Sequence, residues 1–158
     1  MRDETAERLA INDLICRFFQ SFDEKDWTAM RDCLADRVLT DYSSFRAVPP
    51  AEIEGERYVE QRRAALSTLA MQHNFLNLRV EIDGDAAAAR CNYIIYRFAP
   101  DHDGSGDDFF HSYGHYKLAL ARRDGRWRIG GITQVLLRNH GNAELHGATR
   151  SQDNTRNA

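Results

Sequence analysis

The chain has 158 residues, a formal net charge of −3, 42% hydrophobic residues and 28% charged residues. This length suits one hydrophobic core, and the small negative charge excludes strong attraction to nucleic acid or to an anionic membrane. We therefore expect one domain over residues 1–140, followed by a polar tail over residues 141–158.

Three helices are predicted in the N-terminal half of the chain. They cover residues 5–22, a short segment that begins after Asp26, and residues 55–69. In the first helix apolar residues recur every three or four positions, and Asp3 or Thr5 can cap it. The third helix has its own apolar side, whereas Arg62 is expected to face water.

Strands are predicted for most of the remaining chain. Their segments cover residues 38–42, 71–82, 87–98, 110–122 and 127–137. Gly-containing turns join the last four strands into hairpins, and alternation in the first of these four places one apolar set on one face: Leu76, Leu78, Val80 and Ile82. Helices followed by an antiparallel meander predict an α+β fold, in which three N-terminal helices close a pocket on a strongly bent, mainly antiparallel sheet.

The cysteines indicate a reducing compartment. Cys16, Cys33 and Cys91 are odd in number, far apart and set among apolar neighbours. Such thiols are typical of a reduced core rather than of a disulfide framework or a zinc site. The charged N-terminus and the lack of a long apolar run argue against a signal peptide or a membrane span. The sequence therefore predicts a cytoplasmic protein that does not contact a membrane.

A carboxylate ends the apolar face of the first helix. Phe18, Phe19 and Phe22 continue this face at helical spacing, so Asp23 is expected at the rim of the surface that the face covers. A carboxylate beside aromatic rings is poorly solvated, which makes it more basic and suits it to pairing with a histidine. His73 is the best partner that the sequence offers.

These motifs, taken in order, resemble a known family. They comprise residues 21–27 (SFDEKDW), 41–45 (DYSSF), 72–73 (QH) and 123–127 (RDGRW). Over about residues 8–137 the chain is similar to the scytalone dehydratase and SnoaL-like branch of the nuclear transport factor 2-like superfamily. The resemblance implies a cone-shaped barrel of bent sheet. It also implies a catalytic pair at Asp23 and His73, which match an aspartate and a histidine of scytalone dehydratase and lindane dehydrochlorinase.

The chain also departs from scytalone dehydratase. Phe22 stands where that enzyme has a tyrosine, although Tyr42 matches its second tyrosine. Its second catalytic histidine falls near residues 96–98, where this chain has no histidine. The resemblance therefore implies that the base is kept while groups that orient scytalone are not, so scytalone itself is not the expected substrate.

His73 is the predicted general base. A carboxylate that accepts a hydrogen bond from one ring nitrogen leaves the other nitrogen free to abstract a proton, and it stabilises the imidazolium that forms. With a leaving group on the neighbouring carbon the result is elimination, and without one it is isomerisation or cyclisation. Neither a metal nor an organic cofactor is required. The structural alternative is that Asp23 caps the helix or pairs with Lys25 and that His73 makes only structural hydrogen bonds.

Further side chains are candidates for substrate binding. Tyr42 could donate to a developing oxyanion, or it could be a core tyrosine. Alternation in the strand over 110–122 places Tyr116 on the interior side and His115 on the other side. Arg97 could hold an anionic substrate group, or it could be an exposed strand arginine. The expected apolar wall consists of Phe18, Phe19, Phe22 and Phe45.

The sequence therefore predicts a cofactor-independent lyase-like enzyme. Its expected activity is that of a dehydratase, or of a related isomerase or cyclase, on a small apolar, hydroxylated, cyclic or aromatic molecule. One alternative is a non-catalytic protein that binds small molecules, and another is the small structural subunit of an aromatic-ring-hydroxylating dioxygenase. The resemblance also implies a homodimer or a homotrimer.

Overall fold

The computed structural model describes residues 3–104 and 106–146. In chain order the described elements are α1 (Glu4–Glu24), α2 (Trp27–Cys33), β1 (Leu34–Asp41), α3 (Ser43–Arg46), β2 (Ala51–Glu54), α4 (Gly55–Leu66), β3 (Ala70–Asp83), β4 (Ala86–Phe98), β5 (Phe110–Arg123), β6 (Arg126–Gly141) and a final 3₁₀ turn (Ala143–Leu145). No helix within these ranges combines the length and the apolar character needed to cross a membrane.

The strands form one curled sheet in the order β2-β1-β6-β5-β4-β3. All neighbouring strands are antiparallel except β1 and β6, which are parallel. Register shifts interrupt three of the five pairings, and such bulges bend and twist a sheet. The sheet does not close between β2 and β3. The predicted α+β fold with a bent, mainly antiparallel sheet is confirmed, and a fourth short helix, α3, joins the three predicted ones.

Local interactions fix both ends of α1. The side chain of Asp3 accepts a hydrogen bond from the backbone N–H of Thr5, so Asp3 is the N-cap. At the other end Lys25 adopts a left-handed conformation, and its N–H is directed at the last carbonyl groups of the helix. The buried face runs from Ile11 to Phe22. Since the helix continues to Glu24, two residues past the predicted end, Asp23 lies in its last turn.

A bulge in β3 overturns the predicted pattern of that strand. Asn77 has a φ of 55°, and the register with β4 shifts between Leu76 and Arg79. Because an extra residue reverses the alternation, Leu76 is 47% exposed, whereas Leu78 packs against the core. The prediction that Leu76 shares a face with Leu78, Val80 and Ile82 is wrong. Before the bulge, the inward side chains are those of Met71, His73 and Phe75.

The segment around α4 also differs from the prediction. The helix ends at Leu66 instead of residue 69, and β2, which the sequence did not predict, pairs with β1 immediately before it. Arg62 was expected to face water, but it is buried. Its guanidinium lies over the rings of Tyr42 and Tyr58, at 5.1 and 5.2 Å from their centroids.

The fold continues beyond the predicted last strand. β6 extends to Gly141, and His146, which was predicted to lie in the polar tail, is buried against Phe45 and Phe110. The rest of the predicted tail, residues 147–158, lies outside the described residues.

We predict that Gly114→Ala destabilises the protein. Gly114 lies at the register shift between β5 and β6, and an added Cβ would clash with the carbonyl oxygen of Val135 and meet the ring of Tyr93 at 2.9 Å. Overpacking of this kind typically costs about 1–3 kcal/mol of unfolding free energy. In the control Gly130→Ala the nearest atom is the Cβ of Ala35 at 3.9 Å, which is an ordinary contact. Urea unfolding measures both variants, and equal losses of stability would contradict the prediction.

Candidate active site

Asp23 and His73 meet in the interior. Asp23 lies in the last turn of α1, and His73 lies on the inward side of β3, which packs against α1. Oδ1 of Asp23 is 2.6 Å from Nδ1 of His73. Both carboxylate oxygens also accept the backbone N–H of His73, at 3.0 and 2.9 Å. The fold thus brings together two residues that are fifty positions apart in the chain.

The hydrogen bond to Asp23 assigns the protonation of the imidazole. An ionised carboxylate can only accept hydrogen bonds, so Nδ1 of His73 carries the proton in the neutral ring. Nε2 is then the nitrogen that can accept a proton. The side chain of His73 is 4% exposed, whereas that of Asp23 is 23% exposed. The carboxylate therefore keeps contact with water while the imidazole does not.

Aromatic rings surround the imidazole. The ring of Phe22 lies 4.6 Å from that of His73, and the ring of Phe19 stacks on it at 6.2 Å. Burial lowers the pKa of His73 below its ordinary value, and the positive charges of Arg97 and Lys25 act in the same direction. The hydrogen bond and the charge of Asp23 oppose this shift without cancelling it. His73 is therefore a neutral base at pH 7.

Lys25 is not the partner of the Asp23 carboxylate. Its Nζ lies 3.4 Å from the backbone carbonyl oxygens of Phe22 and Asp23. Burial lowers the pKa of Lys25, and the nearby charge of Asp23 opposes that shift. The carboxylate hydrogen bonds go to His73, so the structural alternative of an Asp23–Lys25 pair does not describe this site.

Tyr42 has a hydroxyl partner that the sequence did not suggest. Tyr42 is buried directly before α3, and its hydroxyl oxygen lies 2.7 Å from that of Tyr58 on α4. Only one of the two protons is used in this hydrogen bond, so the pair keeps one O–H that can donate elsewhere. Burial raises the pKa of Tyr58 well above its ordinary value, which keeps its hydroxyl protonated.

Tyr116 and Arg97 both face the interior. Tyr116 is buried beside the rings of Phe19 and Tyr93, as strand alternation predicts. Arg97 is buried too, and its Nη1 donates to Oγ of Ser112 at 2.9 Å. The alternative of an exposed strand arginine is wrong, because β4 turns Arg97 to the same side as Tyr93.

A cleft of about 570 Å³ opens between α4 and the segment that contains α3 and β2. Tyr42 and Tyr58 line it, together with Arg46 and Arg62. Asp23 and His73 do not line this cleft. Ring contacts connect the two regions, because Phe18 lies 6.3 Å from Tyr58 and 5.3 Å from Phe22, which in turn lies 4.6 Å from His73. A ligand that enters here must displace some of these rings to reach the imidazole.

Most of the chain matches the profile of a known family. The profile described as a SnoaL-like domain matches residues 3–133. The chain belongs to the SnoaL-like family. No curated protein sequence matches it. Within the described residues, no group of three or more His, Cys, Asp or Glu side chains is placed to hold a metal ion.

Solved structures show the same fold. The Kfla4162 protein from Kribbella flavida is 25% identical, with a TM-score of 0.84 over 90% of this chain and 98% of that chain. A hexachlorocyclohexane dehydrochlorinase, LinA type 2, is 17% identical, with a TM-score of 0.72 over 90% and 93%. The β subunit of the benzoate 1,2-dioxygenase from Burkholderia mallei is 19% identical, with a TM-score of 0.62 over 80% and 87%. At identities of 17% to 25%, these structures support the shared fold.

Three interior features of this SnoaL-like protein were not predicted from the sequence. They are the hydroxyl contact between Tyr42 and Tyr58, the burial of Arg62 and the burial of His146. For Arg62 a signal existed, because it follows Tyr58 by four positions and so shares its face of α4. For His146 we find no signal in the sequence. Burial and the charges of Arg97, Arg62 and Arg46 lower the pKa of His146 to about 2, so its ring is neutral.

We predict that His73 titrates below its ordinary pKa of about 6.5. In Asp23→Asn the midpoint should fall further, because the hydrogen bond and the charge of Asp23 raise the pKa of His73. The matched control is Glu24→Gln, which removes an exposed carboxylate from the same helical turn. NMR titration of the ¹⁵N-labelled imidazole measures the midpoint and the tautomer. A midpoint above the ordinary value, or a rise in Asp23→Asn, would contradict the prediction.

Proposed function

We propose that the protein is a cofactor-independent lyase-type enzyme, a dehydratase or a related isomerase or cyclase, in which His73 removes a proton from a carbon atom of its substrate. The observation that carries the proposal is the 2.6 Å contact between Oδ1 of Asp23 and Nδ1 of His73, on a ring that is enclosed by aromatic side chains. The proposed substrate is a small, hydroxylated, cyclic or aromatic molecule.

The proposed reaction begins at Nε2 of His73. Nε2 takes a proton from carbon, and the electron pair of that C–H bond forms a double bond to the neighbouring carbon as hydroxide leaves. Asp23 stabilises the imidazolium, and the imidazolium returns the proton to the hydroxide, so that water is released and the base is restored. General-base assistance of this kind is typically worth about 10²- to 10⁴-fold in rate. Without a leaving group the same proton transfer gives isomerisation or cyclisation.

The tyrosines have a proposed supporting role. The hydroxyl pair of Tyr42 and Tyr58 keeps one proton available, and Tyr116 lies beside Phe19, which stacks on His73. Donation from Tyr42 or Tyr116 to the substrate oxygen would stabilise negative charge that develops in the transition state. Phe18, Phe19, Phe22 and Phe45 would supply an apolar wall that excludes water.

A second candidate is a structural subunit. The likeness to the β subunit of a benzoate dioxygenase favours it at the level of fold. Such a subunit has no need of a buried base whose imidazole is held in one tautomer. The turnover test below distinguishes the proposed enzyme from a non-catalytic binding protein. Light scattering of the purified protein measures its oligomeric state and so tests the proposed homodimer or homotrimer.

We expect His73→Gln and Asp23→Asn to lower turnover while the fold is retained. The loss should be about 10²- to 10⁴-fold for His73→Gln, because it removes the base, and smaller for Asp23→Asn, because the imidazole remains. His115→Gln is the control, because His115 lies on the opposite side of β5 from Tyr116. The assay follows a panel of hydroxylated cyclic ketones in D₂O by NMR, which reports both deuterium incorporation at carbon and loss of water.

The wild type should catalyse one of these two changes in at least one ketone. Full turnover in His73→Gln would overturn the proposed base. A lack of both changes across the panel, together with co-purification of an iron-containing partner, would support the structural subunit instead.

A further inference from the structure

Among the residues that the structure describes, two buried arginines have no paired carboxylate. Arg62 is 5% exposed and Arg97 is 3% exposed. Within residues 3–104 and 106–146, neither guanidinium pairs with a carboxylate, and Nε of each has no hydrogen-bond partner. Among the described residues, Arg97 contacts Ser112 and the rings of Phe45 and Phe110, and Arg62 contacts the rings of Tyr42 and Tyr58. Burying a charge without a partner is costly.

The arginines are close enough to act on each other. Burial lowers the pKa of Arg97 to about 10, and the charge of Arg62 acts in the same direction, so Arg97 still carries its positive charge at neutral pH. Arg46 adds a third positive charge, with its guanidinium carbon 4.6 Å from the centroid of the Tyr42 ring. His146 is neutral beside them. Arg62 and Arg97 are therefore two positive groups that, among the described residues, lie against aromatic rings.

The positive cluster can be reached from outside. Arg62 and Arg46 line the cleft between α4 and the α3–β2 segment, together with Tyr42 and Tyr58. Arg97 is more deeply buried, and Phe45 contacts both Arg97 and His146. An anion in the cleft would meet Arg62 and Arg46. Behind the cleft, Tyr58 contacts Phe18, whose ring contacts lead to Phe22 and His73.

We propose that this cleft binds the carboxylate of an aromatic or alicyclic acid, with Arg62 and Arg97 as the residues that hold it. The planar fork of a guanidinium matches a carboxylate, and a single negative charge with an attached ring suits arginines that are enclosed by aromatic side chains. The proposal rests on the proposed function only where it takes this acid to be the substrate of the enzyme. Binding itself does not require His73.

The test compares acids with their neutral amides. Isothermal titration calorimetry measures benzoate against benzamide and cyclohexanecarboxylate against cyclohexanecarboxamide. We expect at least one acid to bind about tenfold or more tightly than its amide, because charge-assisted hydrogen bonds to arginine are lost in the amide. Arg62→Gln and Arg97→Gln should each lose this preference.

Two matched controls separate the cluster from general charge. Arg63→Gln removes an exposed arginine next to Arg62 on α4, and Arg90→Gln removes an exposed arginine from the same strand as Arg97. Both should keep the preference for the acid. If Arg97→Gln fails to fold, Arg62→Gln and the thermal shift of the wild type by acid against amide still decide the question.

The outcomes distinguish this proposal from the proposed enzyme. His73→Gln should keep the preference for the acid, so a failure of turnover leaves the carboxylate site standing. Equal binding of acid and amide, no measurable binding of either acid in the millimolar range, or an unchanged preference in both Arg62→Gln and Arg97→Gln would overturn the carboxylate site. None of these three results bears on proton abstraction from the neutral ketones.

Discussion

The carboxylate of Asp23 connects the helical layer to the sheet at one point. It accepts both the backbone N–H and the ring N–H of His73, so one side chain fixes the last turn of α1 against β3 and also sets the tautomer of the imidazole. Hydrogen bonds to a charged acceptor are stronger than neutral ones. The capping conformation of Lys25 ends α1 immediately afterwards. The position of the base therefore depends on where the helix ends as much as on the strand that carries it.

The contact between Asp23 and His73 also depends on the bulge at Asn77. Unbroken alternation along β3 would place Leu76 and Leu78 on the inner side and His73 on the outer side. The extra residue reverses the pattern, so His73 points inward before the bulge and Leu78 packs against the core after it. Asparagine tolerates the left-handed conformation that the bulge needs. Periodicity alone thus misplaced Leu76, whereas the family resemblance paired His73 with Asp23, which the structure places within hydrogen-bond distance of each other.

Whether a feature could be predicted from the sequence depends on how far apart in the chain its interacting residues lie. The Asp3 cap and the hairpin turns are local, and so is the start of α2 after Asp26, whose side chain accepts from the N–H of Ala29. The structure contains all of them. The burial of His146 depends on Phe45, about a hundred positions away, so local pattern carries little information about it. Arg62 contacts both the distant Tyr42 and Tyr58, which lies four positions earlier on α4, so local pattern carries part of the information about it. Arg97 is an intermediate case. In the structure the alternation of β4 puts it on the same side as Tyr93, whereas the general preference of arginine for water favoured the exposed alternative.

The interior holds the neutral imidazole of His73 in one part and the positive charges of Arg62 and Arg97 in another, and the two parts interact electrostatically. The charge of Arg97 contributes to the lowered pKa of His73, which keeps the imidazole neutral but also makes it a weaker base. A carboxylate bound at Arg62 and Arg97 would offset that charge and raise the basicity of His73 when a substrate is present. The same anion would hold one end of a ring in the cleft, from which the contacts of Phe18 and Phe22 lead to His73. The buried arginines would then orient the substrate and also adjust the base, without touching the reacting carbon.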